Sequence, residues 1–115
     1  MYSLVVMVLH NLTHFDAVMA AWRAAGAPAI TILDSVGSRE LSEQAQRDDL
    51  PMMPTIRDLL QAEDAPRKTL FSVVEDQHID AMIRATEEIV GHLSGPEKGI
   101  LFVVPTSRVV GYRRP

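Results

Sequence analysis

Residues Tyr2–Ala25 read YSLVVMVLHNLTHFDAVMAAWRAA, an apolar run followed by an amphipathic helix, and Leu70–Val90 repeat the pattern as LFSVVEDQHIDAMIRATEEIV. The apolar runs are Tyr2–Leu9 and Leu70–Val74, and the helices are expected over Thr13–Ala25 and Asp76–Val90. A further apolar run follows each helix, Ala29–Val36 after the first and Ile100–Val104 after the second. The order β-α-β, β-α-β predicts an α+β, ferredoxin-like βαββαβ domain, with a four-stranded antiparallel sheet and two helices on one of its faces. The other sheet face is then left without helices, and a second copy of the chain is the simplest cover for it.

The local signals agree with this order. Thr13 reads as a helix N-cap with Asp16 three residues on, an imperfect capping box. Phe15, Val18, Met19, Trp22 and Ala25 fall on one helical face, and Gly26 and Pro28 stop that helix. In the second half Asp76 reads as the cap. Ile79, Ile83, Thr86 and Val90 form the inner stripe, with Met82 and Ile89 flanking it, and Gly91, Gly95 and Pro96 end the helix. The continuous apolar run of Tyr2–Leu9 predicts a buried central strand. Pro105, with no backbone donor, places the last strand at a sheet edge or a bulge.

The chain of 115 residues fits one domain over 1–115. Hydrophobic residues are 47% and charged residues 23%, as in an ordinary soluble globular protein. With 11 basic and 15 acidic side chains the formal charge is −4, which argues against a general nucleic-acid binder. The absence of cysteine excludes disulfides, thiol nucleophiles and thiolate zinc sites, and fits a reducing cytoplasm. YSLVVMVL is too short to span a bilayer and has no positive segment before it, so a complete cytosolic chain without membrane insertion is expected.

Between the halves lies Ser38–Lys68, which opens polar (SRELSEQAQRDD), turns apolar (LPMMPTIRDLL) and closes polar (QAEDAPRK). A connection of that length in a compact domain is functional or disordered. Thr55 with Asp58 marks a helix start, so a short helix is expected over Ile56–Gln61. Met52 and Met53 offer either an adaptable surface for a partner or packing for the loop itself.

Three stretches resemble the PII nitrogen-regulatory family. In LVVMVLHNLTHFDAVMAAWRAAGAPAITILDSVG, the residues Gly26, Ile30, Thr31, Ile32 and Gly37 occupy the places of that family's Gly-x-x-x-(Ile/Met/Val)-Thr-Val strand and its closing glycine. FSVVEDQHIDAMIRATEEIV resembles the third strand and second helix, and GILFVVP resembles the strand after the phosphate-binding turn. The resemblance covers nearly the whole chain outside the central segment, and the order of the pieces carries it more than any one motif.

The resemblance implies a homotrimer with its sheets facing inward. It implies a small anionic ligand, ATP, ADP or AMP in type, bound in clefts between subunits. It also implies a long loop, here 38–68, that reaches a protein partner such as a transporter or an enzyme. The candidate ligand-binding residues are Thr31, Gly37, Lys98, Gly99 and Arg113. The chain departs from the family at three points. Gly99 is followed by Ile100 where the family has lysine, and the nearest lysine, Lys98, precedes the glycine. Of two arginine positions near the C-terminus the first is Gly111, and only the second, Arg113, is kept. Lysine and arginine bind phosphate through charge-assisted hydrogen bonds, so both changes weaken an ATP site. The loop also lacks the tyrosine that the family uridylylates. The alternatives are a metal-binding trimer of the CutA type and a structural trimer without a ligand.

Other groups have a functional and a plain reading. Ser94–Gly99 either cradles an anion through backbone N–H groups or simply joins helix to strand. Arg108, Arg113 and Arg114 either meet an anion across a subunit boundary or form a solvated tail. His10 and His14, with Asp16 or Asp34, lack the one-face spacing of a helical metal site, and His78 and His92 lie at opposite ends of a helix. Polar surface histidines are the expectation, with no metal. No nucleophile or paired-carboxylate pattern is present, so no catalysis is expected.

Overall fold

The computed structural model describes residues 1–36, 66–95 and 99–113. The chain runs β1 (Tyr2–Leu9), a 3-10 turn (Leu12–His14), α1 (Phe15–Ala25), β2 (Thr31–Val36), β3 (Pro66–Glu75), a second 3-10 turn (Asp76–His78), α2 (Ile79–Val90) and β4 (Gly99–Pro105). The strands form one antiparallel sheet in the order β2-β3-β1-β4, as the two β-α-β halves require. In its register Val6 faces Phe71 on one side and Phe102 on the other, while Thr31 faces Phe71 from beyond.

The core follows from two periods. Along β1 every second residue turns to the helices, so Val5, Met7 and Leu9 are fully buried while Leu4, Val6 and Val8 are half-buried. β1 is therefore central in the sheet but buried on one face only. Leu70 and Val74 of β3 join the core from the same side. Val18 and Trp22 of α1 and Met82 and Val90 of α2 close it from above. Each such side chain contributes about 1.5–3 kcal/mol by leaving water.

Three buried polar residues, Ser3, Ser72 and Thr86, are each paired. Trp22 Nε1 donates to Thr86 Oγ1 at 2.9 Å, and that hydroxyl donates to the Met82 carbonyl at 2.7 Å. Ser3 Oγ donates to Asp76 Oδ1 at 2.7 Å, and Ser72 Oγ donates to the Ala29 carbonyl. An unmade bond at such a place costs more than a made one gains, so these pairs fix how α1 meets α2 and where Asp76 and Ala29 sit against β1 and β3.

Four local expectations are corrected. Asn11, not Thr13, caps the first turn: its Oδ1 accepts from the Thr13 amide and hydroxyl, and α1 begins only at Phe15. Asp76 caps nothing with its side chain, because its carboxylate is taken by Ser3 from the neighbouring strand. β2 starts at Thr31 instead of Ala29, whose carbonyl is bound by Ser72. β3 starts at Pro66, so Pro66, Arg67 and Lys68 belong to a strand and not to the central connection. Arg67 and Lys68 sit opposite Ser35 and Asp34, and Lys68 Nζ lies 2.6 Å from Asp34 Oδ1. Pro105 does end a strand at the sheet edge.

Residues 37–65 lie outside the described residues, and with them the expected helix over Ile56–Gln61, Met52 and Met53, and most of the loop assigned to a partner. Among the described residues no helix is long and apolar enough to cross a membrane.

Candidate functional site

The pleat that sends Val5 and Met7 to the helices sends the alternate row to the opposite face. That row brings together Leu4, Val73 and Val104 at one level and Val6, Phe71 and Phe102 at the next. No helix covers it. Leu33 is 53% exposed, Ile100 56%, Phe102 43% and Val104 44%, four large apolar side chains on one sheet surface. Such a contiguous patch marks an interaction surface in a way that a single exposed leucine does not.

The C-terminal tail crosses one end of this face. Beyond Pro105 the Thr106 amide and Oγ1 both donate to the Tyr2 carbonyl, at 3.2 and 2.8 Å. The Tyr112 ring then packs on the Tyr2 ring, with centroids 4.5 Å apart and planes at 51°. Gly111 lies between, with φ of +88°, a left-handed turn that an L side chain adopts only with strain. The tail is thus tied to Tyr2 at Thr106 and Tyr112, while Arg108, Val110 and Arg113 stand exposed to solvent.

Tail, sheet and the approach to β2 border a half-open cavity of about 410 Å³. Phe71 and Val73 form its floor, Pro28, Ala29 and Thr31 one wall, and Val109–Arg113 the other. Ser72 holds the first wall in place through its bond to the Ala29 carbonyl. Among the described residues no acidic side chain lines the cavity and Arg113 has no ion pair. The volume lies within the range of small-molecule sites, and so does the mixture of apolar walls with few polar groups.

Of the five residues selected in the sequence, the structure brings Thr31 and Arg113 to this one cavity. Gly99 lies elsewhere. It faces Leu9 at the far end of β1, while Thr31 is level with Val6 and two strands away from it. By ideal sheet spacings Gly99 is offset from Thr31 by roughly 10 Å along the strands and roughly 14 Å across them. Gly37 and Lys98 lie outside the described residues.

Gly99 has a local explanation of its own. Its φ is +112°, and a Cβ there would stand 2.3 Å from the Val8 carbonyl oxygen. In the expected anion cradle, two amides are already engaged: Gly95 N–H donates to the His92 carbonyl at 2.9 Å and Ser94 N–H to His92 Nδ1 at 3.3 Å. Arg108 does not line the cavity.

Phe71, Val109 and Tyr112 line the cavity and were not among the sequence-selected residues. The signal for the last two was present: an apolar pair and an aromatic ring, VVGY, stand in a tail otherwise polar and basic. Among the described residues no three of His, Asp or Glu form a metal-holding group. Asp34 is engaged by Lys68, while His78 and His92 stand within 3.6 and 3.8 Å of Glu75 and Glu87.

No protein-family model matches the chain, and the search of curated proteins finds no match to it.

Proposed function

We propose that the chain is a PII-like signalling protein that assembles as a trimer through its open sheet face and binds a small anionic ligand, an adenine nucleotide, between subunits. The observation that carries this reading is the meeting of Thr31 and Arg113 in one cavity. They come from the start of β2 and from the tail, and both occupy ligand-binding places in the family pattern that the sequence resembles. The apolar face around Ile100, Phe102 and Val104 supports the assembly, since a second copy buries it.

The position of Gly99 supports a cleft between copies over a site within one. A single anionic group cannot lie against Gly99 and in the cavity of the same protomer. If the Lys98–Gly99 turn of one copy meets the Arg113 of another, both act on one ligand. Ligand then changes the fit of loop 38–68 to a partner only if it binds one loop state more tightly than another. Calorimetric titration with ATP on the wild type and on Lys98→Ala with Arg113→Ala tests the reading. Unchanged affinity in the double variant overturns the site.

A further inference from the structure

We infer that the cavity beneath the tail is a binding site for a small monocarboxylate with an apolar, ring-sized body. The inference shares Thr31 and Arg113 with the proposed nucleotide cleft but requires neither Lys98 nor a second copy.

The chemistry of the walls selects the ligand. Phe71 and Val73 below and Val109 above offer two apolar surfaces, and the volume of about 410 Å³ has room for a ring and a short arm between them. Among the described lining residues charge enters at one point: Arg113 is the cationic side chain there, it is exposed, and no carboxylate of the described residues neutralises it. In a chain of formal charge −4 an unpaired guanidinium at the mouth of an apolar cavity is complementary to a single negative charge. A carboxylate fits that count, since it takes two parallel N–H bonds from one guanidinium. A phosphate dianion asks for more donors and more positive charge than this cavity supplies. Thr31 stands on the wall opposite the tail, where its hydroxyl can donate to a carboxylate oxygen or accept from a ring substituent.

The site is built by the tail and is complete in one protomer. Tyr2 holds Tyr112, and Thr106 is bonded twice to the Tyr2 carbonyl, so the wall that carries Val109 and Arg113 is fixed at both ends. A ligand therefore meets a preformed slot and does not have to order the tail at its own expense.

The test is a nuclear magnetic resonance titration of the full chain with 3-phenylpropionate, its neutral amide and phenyl phosphate. The carboxylate is expected to saturate, to shift the amide signals of Thr31, Phe71, Val73, Val109 and Gly111, and to bind at least tenfold tighter than the amide. Arg113→Ala is expected to weaken it at least tenfold, and Lys98→Ala to leave it unchanged. Equal binding of the amide, tighter binding of phenyl phosphate, or no saturable shift at these residues overturns the inference. The two readings fail separately. Nucleotide binding lost with Lys98→Ala concerns the cleft between copies, whereas phenylpropionate binding is read on Arg113 and Val109, with Val109→Asp expected to abolish it.

Discussion

Trp22 Nε1 donates to Thr86 Oγ1 at 2.9 Å, a hydrogen bond between two fully buried side chains that joins α1 to α2. Both residues sit on stripes legible in the sequence, and their bond ties the two stripes together. The hydroxyl in turn donates a hydrogen bond to the Met82 carbonyl, so it is satisfied in both roles.

Thr86→Val keeps the shape and leaves the indole N–H without its partner. A loss of about 1–3 kcal/mol is expected, the cost of one orphaned buried donor. Urea unfolding of Thr86→Val, Trp22→Phe and the double variant checks it. The double variant should lose less than the sum of the singles, because the indole donor and its acceptor are removed together.

Gly99→Ala should destabilise the chain whether or not any ligand binds there. Its backbone lies in the left-handed region, which costs an L residue about 1–3 kcal/mol, and the added Cβ runs into the Val8 carbonyl. Thermal unfolding in buffer alone measures this. A neutral effect would mean that the β1–β4 register is looser at this end than the pairing of Leu9 with Gly99 shows.

The tail is held by few contacts, and Tyr112 is the main one. Tyr112→Ala removes the ring packing on Tyr2 and is expected to release residues beyond Thr106. Hydrogen exchange read by mass spectrometry should then show faster exchange over Val109–Arg113, with the core strands unchanged. The cavity would lose one wall, so binding read on Arg113 should weaken with it.

Much of this architecture is legible in the chain. The continuous apolar run gives β1, and the 3.6-residue stripes give both helices and much of their buried faces: Val18, Trp22, Thr86 and Val90 are innermost as read, whereas Met82, read as flanking, is fully buried and Ile79 and Ile83 are only partly so. The boundaries missed have a common cause, which is that tertiary partners override local signals. Thr13 and Asn11 are both capping residues two positions apart, and only the 3-10 turn decides between them. Asp76 has the right type and position for a cap but is claimed by Ser3 of β1. The start of β3 reads PRKT, without an apolar run, since its polar residues pair with Ser35 and Asp34 of the edge strand. For the site, Thr31 and Arg113 were found through family resemblance, while the floor and the tail wall depend on how the chain folds back after Pro105. No local periodicity encodes that return.

The open face should respond to charge. Phe102→Glu places a carboxylate in the middle of the apolar row without touching the core, so the fold is expected to survive. Sedimentation should show the wild type as a multimer and the variant as a monomer. Burying an unpaired charge at an interface costs several kcal/mol, enough to dissociate a small assembly.

The most direct test of the central claim combines mass and ligand in one sample. The purified chain is titrated by calorimetry with ATP, ADP, AMP and cyclic AMP, and its mass is measured in the same buffer. The expected result is a trimer that binds at least one of these nucleotides with micromolar affinity and loses that binding in the Lys98→Ala, Arg113→Ala double variant. A monomer, or a trimer that gives no heat with any of the four, contradicts the account.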